Sequence, residues 1–322
     1  MRIYFIHNVI VILLTCITSV WVNAQHKTAF EFTETADATT RRTMQNNVNA
    51  VFSSIHDSYF SKREGVSLLT NHATREAIEQ IQTLWSTSRF YCTETEVIRR
   101  VSRINKGLQV RNIPVFFEQG GTDEDKYQDL VIDFTPDGRI SDVYIAIPMH
   151  QVSNILAGNT VTDLRRRQLI LGFVENFRTA YNRKDISYLD RVFSNDALII
   201  VGKELKSSTN RSDSPQPRGV DVEYIVRTKS EYMENLRGAF LRNNYINIKF
   251  SDIEVMQHDG NSNIYGVTLK QNWNTTNYKD VGWLFLMIDF RDENNPLIWV
   301  RTWQPDGVLK NDVFGLDNFI LR

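Results

Sequence analysis

The residues best suited to hold a ligand are aromatic and lie toward the C-terminal end of the chain. Tyr265, Val267, Leu269, Gln271 and Trp273 alternate along one stretch, Trp283, Phe285, Met287 and Asp289 along the next, and Trp299, Arg301 and Trp303 along a third. Strand residues two apart point to the same face, so each set reads as one side of a strand. Gln271, Asp289 and Arg301 stand among wide rings, which suits a mostly apolar pocket with a few placed polar groups. Trp273, Trp283 and Trp303 offer stacking surface and Arg301 a planar charged fork, so the chemistry is binding of a ring-like or anionic molecule. A structural alternative uses the same residues: the rings fill a concave core and Arg301 pairs with a carboxylate such as Asp289.

Catalytic groups do not assemble so readily. His26, His56, His72, His150 and His258 form no His-x-x-x-His or Glu-x-x-His pair of the kind a metal needs. There is no Gly-x-Ser-x-Gly elbow and no phosphate-cradling glycine loop. Cys92, beside Phe90 and Tyr91, has no local base and reads as a small buried hydrophobe. Arg165, Arg166 and Arg167 offer an anion patch or, more simply, the solvated first turn of a helix. No catalytic residue, metal ligand or cofactor is assigned.

These residues sit in a chain of 322, with 42% hydrophobic and 23% charged residues, which excludes wholesale disorder. The 37 basic and 38 acidic residues leave a formal net charge of -1 and no electrostatic footprint for nucleic acid. Residues 1–24 read as a secretory signal peptide: Arg2, an apolar run from Val9 to Leu14, and Val22-Asn23-Ala24 as the cleavage site. The apolar run is shorter than the roughly 20 residues a spanning helix needs. Export to the periplasm or cell envelope of a bacterium is therefore expected.

The polar, Thr-rich residues 25–37 read as a flexible lead-in, and residues 38–149 as a first module. Met44, Val48, Val51, Phe52, Ile55 and Tyr59 mark one helix, and Ala77, Ile78, Ile81, Leu84 and Trp85 a second. The capping box Thr93-Glu94-Thr95-Glu96 predicts a third, bearing Val97, Ile98, Val101 and Ile104. Strands follow over 108–118, 127–134 and 140–147, with a turn at Thr135-Pro136-Asp137-Gly138-Arg139. Residues 150–161 read as a linker. The second module, 162–305, opens with a helix over 163–181, a short helix over 186–193 and a strand over 197–201. A loop spans 206–219. The capping box Thr228-Lys229-Ser230-Glu231 opens a helix with Met233, Leu236 and Phe240, and strands follow over 246–256, 264–273, 281–290 and 297–303. The tail, 306–322, carries Phe314, Leu316 and Phe319, which can dock on the body.

The run from Phe173 to Asp185, ending in Tyr181-Asn182-Arg183-Lys184-Asp185, then Phe193-Ser194-Asn195-Asp196-Ala197-Leu198-Ile199-Ile200 and the closing Trp299-Val300-Arg301-Thr302-Trp303-Gln304-Pro305, resembles the nuclear-transport-factor-2-like superfamily over about residues 160–305. The first module looks like an abbreviated, cystatin-like version of the same plan. The resemblance implies an α+β chain of two cones, each with helices packed on a curved antiparallel sheet that leaves a pocket at its open end. It implies no single activity, since the superfamily holds isomerases, dehydratases and cyclases beside binding proteins. The expected role is an exported, non-catalytic binder of a small molecule or an envelope protein. The alternatives are an acid–base isomerase, dehydratase or cyclase working in the second module, and a subunit that forms a homodimer through a sheet face.

Overall fold

The computed structural model describes residues 27–319, apart from 35–36, 105–106, 120–122, 124–125, 149–150, 153–154, 156–162 and 206–219. The expected signal peptide (residues 1–24), His26, His150, most of the expected linker and the expected loop over 206–219 lie outside the described residues. No helix among the described residues is long and apolar enough to cross a membrane.

The first module comprises β1 (Ala29–Thr33), α1 (Ala38–Phe60), α2 (Arg75–Thr87), β2 (Phe90–Cys92), β3 (Glu96–Ile104), β4 (Gly107–Phe117), β5 (Tyr127–Phe134) and β6 (Ile140–Ile145). Its sheet runs β1-β3-β4-β5-β6, with β2 also on β4; β1 lies parallel to β3 and the other neighbours are antiparallel. Asp37 caps α1 by accepting from the amides of Thr39 and Thr40, and Thr74 caps α2. Met44, Val48, Val51, Phe52 and Ile55 turn into the core, as their spacing predicts.

Two expectations fail here. The residues after Thr93-Glu94-Thr95-Glu96 form strand β3, not a third helix. Val97 and Val101 are four apart, a spacing that suits a helix face and a strand face equally; both are buried, while Ile98 is 49% exposed. Val97, Ile98 and Val101 are β-branched, and pairing with β1 and β4 decides in favour of the strand. The expected flexible lead-in contains β1, whose Phe30 and Phe32 enter the core between outward Glu31 and Thr33. Among the described residues the module is thus two helices on six strands, rather than three helices and a meander.

The second module comprises α3 (Leu164–Asn182), α4 (Ile186–Val192), β7 (Phe193–Glu204), β8 (Val222–Arg227), α5 (Lys229–Arg242), β9 (Ile246–His258), β10 (Asn261–Thr275), β11 (Lys279–Asp289) and β12 (Leu297–Pro305). The sheet order is β8-β7-β12-β11-β10-β9, antiparallel except for the β12–β7 pair. Bulges on β9–β10 and β11–β12 bend it, and the helices fill its inner face. The order of elements is the one the sequence led us to expect for this half, with β8 as an added edge strand that the sequence reading passed over. The motif at the end of α3 has a distinct task for each residue. Lys184 takes a left-handed conformation (φ 57°) and Asp185 N donates to Ala180 O at 2.7 Å, closing the helix. Asp185 then caps α4 through Tyr188 N, and Asn182 accepts from Ile248 N at 2.6 Å, fixing β9. Arg166 is not a solvated residue: its guanidinium lies over Tyr265 and Phe290 and pairs with Glu293 at 3.2 Å.

The modules meet along β6, the edge of the first sheet. The segment that leaves this edge is paired with side chains of α3 in place of another strand. Ile145 N donates to Thr179 Oγ1 (3.0 Å), Ile147 N to Glu175 Oε1 (2.9 Å), and Arg178 Nη2 to Ala146 O (2.7 Å). Arg111 of β4 reaches across with two bonds to Glu175, at 2.9 and 2.5 Å. Covering an edge removes a template for unwanted strand pairing, and here polar side chains do the covering.

Close to this seam, Asp133 and Asp142 face each other across the β5–β6 ladder. Burial pushes the Asp133 carboxyl up to about 8, helped by the nearby charges of Asp142 and Glu175; Gln109 and Arg111 pull the other way. Folded Asp133 therefore keeps its proton over a range in which the unfolded chain, near pKa 3.9, has lost it. Stability should fall as pH rises from about 4 to about 8 and level off above that. Urea midpoints at pH 5 and 8.5 measure this, and Asp133→Asn should flatten the difference.

Candidate functional site

Helix α5 and the inner sheet face of the second module border an open pocket of about 510 Å³, lined by Val201 and Gly202 of β7, Tyr232 and Asn235 of α5, Gln271 and Trp273 of β10, and Arg301 and Trp303 of β12, with Tyr278 and Asp280 at one side. The predicted alternation on β10 holds. Tyr265, Val267 and Leu269 join the inner core, and Gln271 and Trp273 continue the same face to the cavity.

β12 departs from simple alternation. Ile288 pairs with Ile298 and Met287 with Val300, so Trp299 is an extra residue in a bulge. Ile298 stays in the inner core, while Trp299 and Val300 both pack on the outer face. Arg301 and Trp303 then point into the cavity without Trp299. Gly282 makes room for them: a Cβ there would lie 2.6 Å from the Trp303 ring and collide with Gln304 O. Gly282→Ala should therefore cost about 1–3 kcal/mol, the usual penalty of overpacking, and shift Trp303 fluorescence. Urea unfolding followed by tryptophan emission checks both.

Two of the six predicted pocket residues are not in the cavity. Gln271 is opposite Gly282, so Trp283 opposes Lys270 on the outer face, 5.7 Å from its ammonium. Asp289 is at the other end of the sheet and bonds Arg291 at 2.6 Å, so the expected Arg301–Asp289 pair is absent. Trp273, Arg301, Gln271 and Trp303 do come together.

Arg301 is only 6% exposed. Its guanidinium stacks 4.8 Å from the Tyr232 ring centroid, and the Tyr181 hydroxyl also interacts with it. Nε and Nη1 are buried without a hydrogen-bond partner. An unpaired buried donor costs about 1–3 kcal/mol, more when charged. Tyr181 and Tyr232 share a hydrogen bond of 2.6 Å, and burial holds the Tyr181 hydroxyl well above its ordinary range. Asp280 accepts from the Tyr278 hydroxyl at 2.7 Å; burial raises the carboxyl, and burial with the Asp280 charge raises the phenol.

The sequence reading missed Tyr181, Tyr232, Tyr278 and Asp280 as site residues. Tyr232 had a signal, since it precedes Leu236 by four on the inward face of α5, and the predicted Thr228–Glu231 capping box fixes where that helix begins. His56, His72 and His258 all have local roles: His56 packs on Phe60, His72 bonds Asn47 at 2.9 Å, and His258 accepts from Gly260 N in a turn. Cys92 is packed against the first core, and burial raises its thiol, the reverse of what a nucleophile needs. Among the described residues no group of three His, Cys, Asp or Glu side chains is placed to hold a metal.

No family model and no curated protein matches the chain. Solved structures similar to part of it include Bd1075 of Bdellovibrio bacteriovorus, at 15% identity and a TM-score of 0.33, covering 52% of this chain and 47% of that one. This chain thus spans about half the length of Bd1075. Another is an NTF2-like protein from Cytophaga hutchinsonii ATCC 33406 (14% identity, TM-score 0.31, 44% of this chain, 98% of that one). A third is ActVI-ORFA from Streptomyces coelicolor (12% identity, TM-score 0.31, 44% and 98%). Likenesses of this degree say nothing of activity.

Proposed function

We propose that the second module binds a small anionic molecule with a ring-like body in its cone, and that it does so without turnover. The observation that supports this reading is Arg301: a buried guanidinium with two unpartnered nitrogens, set between aromatic rings at a cavity of about 510 Å³. A carboxylate would complete its hydrogen bonds, while Trp273 and Trp303 cover an attached ring. A second reading, an acid–base isomerase, dehydratase or cyclase, draws on one observation: Asp280, with its raised carboxyl, bonds Tyr278 beside the same cavity. A carboxyl held closer to neutrality is better placed to exchange protons.

A thermal-shift screen of small aromatic acids, steroids and polyketide-like rings, with product analysis of each hit, tests both readings. Saturable stabilisation with unchanged ligand supports the binder. A new product that disappears in Asp280→Asn supports the enzyme, and no hit at all removes the binding proposal. Export belongs to the same proposal, and its support is the sequence of residues 1–24. Mass spectrometry of the protein from its native host should find Gln25 as the first residue; a cytoplasmic chain beginning at Met1 would refute export.

A further inference from the structure

We infer that the junction between the modules carries a second anion site, built on Arg178 and shaped for a small carboxylate with an apolar body. A cavity of about 520 Å³ opens there between the first sheet and the β9 edge of the second, distinct from the cone. Arg178 lines it from α3 and is 4% exposed. Nη2 donates to Ala146 O, while Nε is buried without a partner.

The charges around Arg178 do not neutralise it. Its nearby acid is Glu175, but both Glu175 oxygens are taken by Arg111, and one also accepts from Ile147 N. Two guanidinium groups thus share one carboxylate. Asp129 lines the same cavity, yet the charges that draw it down are Arg99 and Arg111, and burial still leaves its carboxyl raised. Burial pulls Arg178 down to about 10, so it remains a cation at neutral pH. A desolvated cation with an open donor is the half of a charged hydrogen bond that a carboxylate completes.

The walls define the remainder of the ligand. Pro114, Tyr127 and Pro148 give it apolar surface, and Thr93, Ser251 and Asn272 add a few polar groups. A compact dianion such as phosphate would leave that apolar surface unfilled, whereas a monocarboxylate with a short alkyl or aryl body uses it. Because the walls come from both modules, the occupant would bridge them.

Hexanoate is the probe, with hexylamine and hexanol as controls of matched length. The titration uses the Arg301→Gln chain, so that binding in the cone does not contribute, and follows heat and melting temperature. Hexanoate should bind saturably and the controls should not. Arg178→Gln in the same background should weaken binding about tenfold or more, as expected for loss of a charged hydrogen bond. Should Arg178→Gln fail to fold, Ser251→Trp keeps Arg178 and its bonds but fills the cavity, and it should abolish binding. Absence of hexanoate binding in the Arg301→Gln chain overturns the inference, as does equal affinity in Ser251→Trp. Neither result bears on the cone, which is tested with Arg178 intact.

Discussion

Glu175→Ala should destabilise the folded chain by about 3–5 kcal/mol, the usual consequence of stripping one member from a buried ion pair. Glu175 is fully buried, accepts two bonds from Arg111 and one from Ile147 N, and is the acid whose charge favours the Arg178 cation. Its removal leaves two guanidinium groups without a counter-charge and the Ile147 amide without its acceptor in a low-dielectric seam. The favourable side of the wild-type pair is far smaller, because desolvation offsets most of the attraction. Replacing both members, Arg111→Met with Glu175→Leu, should therefore recover most of the loss. Urea unfolding of the two single variants and the double variant measures it. Loss in the double variant equal to the sum of the singles would show that the two side chains act independently.

Arg301→Met should weaken binding of benzoate or naphthoate in the cone by about 1–3 kcal/mol, or roughly 5- to 150-fold. The free protein should lose little stability and can gain some, because the change removes a buried cation with two open donors. That opposition of sign is the useful part. A structural arginine would, on removal, lower stability and leave ligand affinity alone. Trp303→Ala should also weaken binding, since Trp303 lines the cavity, whereas Trp283→Phe should not, since Trp283 is on the outer face over Lys270. Calorimetric titration alongside urea midpoints resolves all three variants. Unchanged affinity in Arg301→Met would exclude the cone as the binding site.

The failures of sequence reading have a common physical cause, which is that local pattern does not carry register. The faces of β10 and β11 were each legible as alternation, but which face of one matches which face of the other depends on the hairpin between them. Gln271 opposite Gly282 puts Trp283 outside; a slip of one residue would have put it inside. The Trp299 bulge similarly breaks a parity that alternation assumes. Capping boxes show the same limit. Thr228 and Glu231 cap α5 as predicted, while the equivalent Thr93–Glu96 pattern precedes a strand, because partners elsewhere in the chain claimed its backbone. The seam was hidden for a different reason. Glu175, Arg178 and Thr179 look like an exposed helix face, and a sequence does not distinguish polar residues facing water from polar residues facing a sheet edge.

The tail after β12 folds back as expected. Phe314, Leu316 and Phe319 pack on Ile264, Phe285, Met287 and Val300, the apolar patch of the second sheet's outer face. Gly266 lets the contact close, since a Cβ there would meet the Leu316 side chain at 2.6 Å. A cover joined to the surface it covers acts at an effective concentration on the order of millimolar, set by the connecting chain and not by how much protein is present. Dilution does not lift it, and a second molecule must compete with it to reach that face. One proteolytic cut between β12 and Phe314 would change the order of the reaction: the same patch would be exposed whenever the freed segment diffused away, and pairing of two copies would then depend on their concentration.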